Sequence, residues 1–479
     1  MGIKPTWEPW AAVILVLFAV GFGYLVLQRS AFLNSRRTDA GVFFRAGYAV
    51  REGLDPYRVT DDRGWFFLYS PGVAPLLAPL GDPPTPETPR MESWRAPGDT
   101  APPAPLRGQT STPYLPYPAS VVIWYALSVA CLLLTIHWLV KALQAHSPDP
   151  HIRALSPSHG GWWNVRFWPL VACMPDILST LSRGQISTVL LAIIAAGTWL
   201  WANNRRTLAG FWWGFAAFVK VFPGLLVVYP LARRDVRGMT GYAICFVLAM
   251  ILLPLVVFGP QRTLDYNRTF VSRVLLAGLA NDSEQTLGAG TSFTNTDNQS
   301  IQGSLHNLVN IATPRGERPP AAAKWMKFVH YGGFVVLVAG TLLVGRTRRA
   351  SRSGGVGDTR FRPDDTALEL VLRVGMLCCI MIACLPMTHR HYAIFILPGV
   401  VALVWVNIMS SRLGFLRGPG LVLTPLLAMG LAIPKIQQEG VLRDLPLTMI
   451  ATLTVWGISA VLLHRLAKTR GELHHPAPV

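Results

Sequence analysis

The sequence predicts an all-α, polytopic membrane protein, on three observations. Of its 479 residues 51% are hydrophobic and 14% charged, with a mean hydropathy of +0.37, so the apolar material exceeds what a soluble core takes up. Apolar stretches recur along the whole chain near the length of about 20 residues that a membrane helix needs. Third, much of the net charge of +18 falls in short connections between those stretches, where Arg and Lys set orientation. That placement also excludes nucleic acid as a partner. About 10–12 membrane segments are expected, some short or broken.

The first is AAVILVLFAVGFGYLVL at 11–27, which no A-x-A-like cleavage site follows and which is therefore a membrane helix and not a signal peptide. Its span is 9–28, and further spans are expected from 119–141, 185–202, 241–259, 327–345, 367–386, 391–409, 420–434 and 446–466. Three segments are awkward: 66–80, 166–181, and 207–232 with Lys220 and Pro223 at its middle. Interrupted helices at membrane depth are tolerated where protein covers them or a wet cavity faces them, so the site is expected there. The remaining parts of this single transmembrane domain are a 29–65 loop, a Pro-rich 81–118 linker, a polar 260–326 loop and a 467–479 tail. Within the first loop, Val42, Phe43, Ala46, Gly47, Ala49 and Val50 recur at helical spacing after Asp39 and read as an amphipathic helix lying at the interface.

The connections 203–206 (NNRR), 233–237 (RRDVR) and 346–362, the last with six Arg against one Asp, belong on the cytoplasmic side if 207–232 enters and returns. The 260–326 loop then faces outward. Asp39 shares that side if two crossings separate it from Gly184: 119–141 and either 66–80 or 166–181, a choice the sequence leaves open. Arg29, Arg36 and Arg37 pull locally in the other direction.

No Walker loop, G-x-G-x-x-G after a strand, H-E-x-x-H or G-x-S-x-G occurs, and the six cysteines show no metal-type spacing. The candidate residues are scattered polar groups. Asp39 either caps the helix that follows or acts as a base. Arg183 and Gln185 at a membrane helix start either anchor it or contact phosphate or sugar. Lys220 sits where a cation costs about 3 kcal/mol, which favours an internal anion partner over snorkelling. Asn298, Gln299 and His306 suit a hydroxyl-rich ligand or a solvated loop, and His389, Arg390 and His391 gather donors at one membrane face. Asp61-Asp62 matches an acidic metal pair only loosely, and a solvated turn is the simpler reading.

The order of these pieces resembles glycosyltransferase family 87: Asp39 after the first helix, GLDPY at 53–57, FFLYSPGVAPLLAPL with Tyr69, RGQIS, the run through Gly210, Lys220 and Pro223, NQS at 298–300, and the His389–Tyr392 cluster. Tyr69-Ser70-Pro71 stands where the family shows Tyr-Pro-Pro, and His306 where an Arg is expected. The resemblance implies a GT-C-like helical bundle of the bacterial plasma membrane with an outward-facing site. It implies transfer of a hexose, mannose favoured, from a polyprenyl-phosphate donor to an envelope glycolipid or glycan, with Asp39 as base in an inverting single displacement. Substrate binding would fall to Tyr69, Arg183, Gln185, Lys220, Asn298, Gln299, His306, His389, Arg390 and His391. Neither metal nor further cofactor is implied; the partners are the lipid-linked donor, the acceptor and membrane lipids. The alternative is a transporter or flippase of lipid-linked sugars, which broken helices and an intramembrane Lys220 would also suit.

Overall fold

A computed structural model describes residues 8–31, 38–84, 113–145, 160–276, 298–314, 317–319, 321–345, 367–385, 388–409 and 444–474. The expected span at 420–434, most of the 81–118 linker and the basic 346–362 connection lie outside them. Among the described residues regular structure is helical, and six helices are long and apolar enough to cross a membrane.

In chain order the helices are α1 (Glu8–Ala31), α2 (Ala40–Arg51), the short α3 (Val73–Leu77), α4 (Tyr117–Ala145), α5 (Gly160–Ala172) and α6 (Met174–Arg183). Next come α7 (Ser187–Ala202), α8 (Arg206–Val219), α9 (Val228–Arg233), α10 (Val236–Val247) and α11 (Leu253–Thr269). The last are α12 (Ile301–Val309), α13 (Lys324–Leu343), α14 (Ala367–Ala383), α15 (Leu397–Met409) and α16 (Leu447–His474). α7 and α14 are buried along nearly their whole length, α14 carrying Glu369 and Arg373 inside with it, so they form the centre of the bundle. α1, α10 and α13 keep large apolar side chains such as Leu17, Phe246 and Phe328 exposed, which makes them the lipid-facing rim.

Which awkward segment crosses is answered by its two ends. Residues 66–80 begin beside Tyr57, whose hydroxyl donates to the Tyr69 carbonyl (2.7 Å), and end at Asp82, whose N–H donates to the Phe44 carbonyl (3.0 Å). Both ends pack on α2, and only the five residues of α3 and one 3₁₀ turn lie between them, so this segment stays on the Asp39 side. α5 and α6 instead run in tandem toward Gly184 with a break at Cys173, where Pro175 opens α6.

The 207–232 segment enters and returns. α8 climbs about 21 Å over its 14 residues, the chain breaks into extended backbone at Lys220, and a 3₁₀ turn (Phe222–Val227) and α9 lead back. Arg206 Nε lies 3.9 Å from Asp235 Oδ2, which closes the hairpin at its base. α10 packs against α8 so tightly that a Cβ on Gly210 would meet the Gly238 carbonyl oxygen, the small-residue contact by which membrane helices approach each other. Arg205, Arg206, Arg233, Arg234 and Arg237 therefore share the end of the bundle opposite Asp39.

Four expectations change. α2 is not an interfacial helix with one wet face: Ala40 and Val42 to Ala49 are all buried, because the 66–82 segment and α4 cover it. Helix runs on through Thr269 to Leu276, kinked at Gly259-Pro260, so the first part of the expected 260–326 loop is ordered helix, and the tail from 467 continues α16 as far as His474. The Asp61-Asp62 turn is solvated only in part: Asp61 is 2% exposed and its Oδ1 accepts from the N–H groups of Arg63 (2.9 Å) and Trp65 (2.8 Å), while Asp62 stays part-exposed.

Candidate active site at the Asp39–Gln185 junction

Asp39 occupies the N-cap position of α2, yet its side chain makes no capping bond. Its backbone is already helical (φ −72°, ψ −10°), which turns the carboxylate away from the first-turn N–H groups. The carboxylate accepts instead from Gln185 Nε2, and the Asp39 N–H donates to the Arg183 carbonyl (2.8 Å). The cap reading of Thr38-Asp39 is thereby replaced by a docking contact between two distant loops.

The partner loop is shaped by Gly184. Its φ of +64° is the left-handed conformation that ends α6, and a Cβ there would stand 2.8 Å from Ala40 Cβ. Trp124 Nε1 on α4 donates to the Gly184 carbonyl (2.8 Å) and holds the turn from the other side. The resulting RGQ turn delivers Arg183 and Gln185 together to Asp39. Burial raises the Asp39 carboxyl above its ordinary 3.8, opposed by the charge of Arg183, the Gln185 hydrogen bond, and the charges of Arg63 and Lys220. Gln185 Oε1 is buried with no partner among the described residues.

Lys220 arrives from the apex of the hairpin. Ser70 Oγ donates to the Phe218 carbonyl (2.7 Å), fastening Tyr69-Ser70 to the end of α8 and setting Lys220 Nζ 5.4 Å from the centre of the Tyr69 ring. Lys220 Nζ donates to the Tyr392 hydroxyl (2.6 Å) and lies 4.2 Å from the centre of its ring. The internal partner of Lys220 is thus an aromatic cage of Tyr69, Phe222 and Tyr392 and not a carboxylate, with cation–π attraction offsetting lost hydration.

His389 and His391 flank this cage, their rings stacked at 5.5 Å and that of His391 4.3 Å from Tyr392. Thr180 Oγ1 on α6 donates to the His391 carbonyl (2.9 Å), tying the His cluster to the helix that carries Arg183. Both ring nitrogens of His391 are buried without a partner among the described residues. The side chain of Arg390 lies outside the described residues.

The 298–300 segment borders the site and is itself held by backbone. Asn298 Oδ1 accepts from the N–H groups of Ser300 (3.1 Å) and Thr388 (3.0 Å), and the Gln299 N–H donates to the Thr388 carbonyl (2.7 Å). Asn298 therefore clamps the residue next to His389, while Ser300 caps α12. His306 is buried on α12 and the charge that acts on it is Arg318, itself paired with Asp444 at 2.8 Å. Among the described contacts none joins His306 to the Asp39 group.

Sequence reasoning gathered Asp39, Arg183, Gln185, Lys220, Tyr69, His389 and His391, and the structure brings these together. It missed Arg63 and the role of Tyr392. Tyr392 had a signal, directly after the paired histidines. Arg63 had none, because its approach to Asp39 depends on Asp61 folding the 61–65 turn inward.

The model of glycosyltransferase family 87 matches residues 67–360, which include Tyr69, Arg183, Gln185, Lys220, Asn298, Gln299 and His306 and leave Asp39 and His389 to Tyr392 outside. No curated protein matches the sequence. Among solved structures, ArnT from Cupriavidus metallidurans bound to undecaprenyl phosphate is similar at 12% identity over 97% of this chain and 79% of that one, with a TM-score of 0.41, too loose a superposition to equate positions.

Proposed function

The chain belongs to glycosyltransferase family 87, and we propose that it moves a hexose, mannose favoured, from a polyprenyl-phosphate donor to a hydroxyl of an envelope glycolipid or glycan. The observation that supports this most is the setting of Asp39: a buried carboxylate that caps nothing and is ringed by Arg183, Arg63 and Lys220.

The chemistry asks for two things. A polyprenyl-phosphate sugar already has an anionic leaving group, so the enzyme must take a proton from the acceptor hydroxyl and stabilise the departing phosphate. Asp39 takes that proton, the acceptor oxygen forms its bond to the anomeric carbon, and the bond from that carbon to the phosphate oxygen breaks, with inversion. The electron pair leaves on the lipid phosphate, which Arg183 and Lys220 receive. No second carboxyl is needed as acid, in contrast to glycoside hydrolysis, and these cations supply the positive charge that a metal would otherwise bring.

Lys220 is held by a hydrogen bond to the Tyr392 hydroxyl, a neutral partner that leaves its charge available to the phosphate. Gln185 holds the Asp39 carboxylate by one oxygen and leaves the other for the acceptor. The site faces away from the cytoplasm, a reading supported by the arginines of 203–206 and 233–237 at the opposite end. Purified protein given radiolabelled polyprenyl-phosphate mannose beside the arabinofuranose donor, with mixed envelope lipids as acceptors, is expected to label a lipid or glycan product from the mannose donor. Product only from arabinofuranose would overturn the choice of sugar, and none from either would overturn the donor class.

A further inference from the structure

Arg166 lies in the middle of α5, an otherwise apolar helix, and is only 8% exposed. Its guanidinium stacks 3.8 Å from the centre of the Trp162 ring, and Nη1 donates to the Trp162 carbonyl (2.8 Å). Nε and Nη2 are buried without any partner among the described residues. These two donors share the side-on edge of the guanidinium, the edge that takes the two oxygens of a carboxylate or phosphate. No carboxylate among the described residues fills it, and a side chain so deeply buried is not snorkelling to water.

The surroundings add a second cation. Lys141 lies exposed on α4, which packs against α5, and His137 is exposed one turn before it. Trp162, Trp163 and Trp168 on α5 are the residue type enriched where hydrocarbon meets headgroups. Position separates this cluster from the site above. Trp124, which holds the Gly184 turn, is on the same helix as His137 and Lys141, and at 1.5 Å per residue they lie about 20 Å and 26 Å farther along it.

We infer that the cleft between α4 and α5 binds the phosphate of an anionic membrane lipid on the face opposite Asp39. Arg166 grips two phosphate oxygens side-on, Lys141 completes the charge, His137 offers a ring N–H, and the tryptophans pack against the glycerol and upper acyl chains. This site is independent of the transfer reaction, and its occupant is bound and not consumed.

The test uses the full chain in nanodiscs of phosphatidylcholine with or without phosphatidylglycerol, and native mass spectrometry of the lipids retained after delipidation. Wild type is expected to retain phosphatidylglycerol at least fivefold over phosphatidylcholine, Arg166→Gln to lose that preference, and Lys141→Gln to weaken it about threefold. Lys141 is exposed, so this second variant keeps the test decisive if Arg166→Gln does not fold. Equal retention by wild type and Lys141→Gln, or no preference in wild type, would overturn the inference. Displacement of the retained lipid by millimolar inorganic phosphate would overturn the lipid as ligand and leave a soluble anion in its place.

Discussion

The side-chain amide of Gln185 donates to the carboxylate of Asp39 across 146 positions of sequence, and the Arg183 carbonyl accepts the Asp39 N–H in the same junction. One loop thus fixes the orientation of the acid and carries the cation with the largest influence on it.

The pH profile has a defined sign. Burial raises the Asp39 carboxyl above 3.8, and the carboxylate is the form that accepts a proton, so transfer falls as pH drops through the raised value. The acidic limb of kcat/KM is expected above the ordinary carboxylate range. Arg183→Gln removes the largest influence that lowers it and shifts the limb to higher pH. A limb that stays in place in Arg183→Gln would show that another group sets it.

Lys220 and Tyr392 form a charged hydrogen bond of 2.6 Å. Such bonds contribute about 1.5–3 kcal/mol, so Tyr392→Phe is expected to lower kcat/KM by roughly tenfold to a hundredfold. Lys220→Met loses more, because it also removes the charge from the phosphate. The order is checked by steady-state rates at saturating acceptor, and equal losses would mean that Tyr392 alone carries the effect.

Gly184 combines a positive φ with contact to Ala40. Gly184→Ala carries a backbone cost of about 1–2 kcal/mol and pushes the RGQ turn off α2. Transfer is expected to fall more than tenfold while the helix content seen by circular dichroism is unchanged.

Stability rests on a different cluster. Arg45 Nη2 lies 2.9 Å from Asp62 Oδ1 and 3.8 Å from Asp82 Oδ2, joining α2 to the segments that cover it. Arg45→Met strands two carboxylates, at a cost of about 3–5 kcal/mol for a buried pair broken on one side. Thermal unfolding in detergent is expected at clearly lower temperature, and Asp62→Asn is expected to lose less, because the Asp62 side chain is itself part-exposed.

Much of this architecture was legible in the sequence because the bilayer imposes length and polarity on each span. The hairpin through Lys220 could be read from a cation and a proline inside an apolar run flanked by arginines on both sides. The fate of 66–80 and 166–181 could not, since both are short, apolar and proline-bearing. Only the bonds from Tyr57 to Tyr69 and from Asp82 to Phe44 show that the first returns to where it began. The burial of α2 was hidden for a similar reason: an amphipathic pattern with Arg45 reads as a wet face, whereas Asp62 and Asp82 close over that arginine. Asn298 shows the limit for the site. A polar residue in a polar stretch suggests ligand contact, and its bonds to Ser300 and Thr388 belong to the scaffold beside His389.

The most direct measurement is sugar transfer from radiolabelled polyprenyl-phosphate donor by purified wild type and Asp39→Asn, with donor binding measured on the same preparations. The variant keeps the shape of the junction and loses the base, which is typically worth 10²–10⁴-fold. The account predicts that loss in kcat with donor affinity changed little. Transfer by Asp39→Asn at the wild-type rate would contradict it.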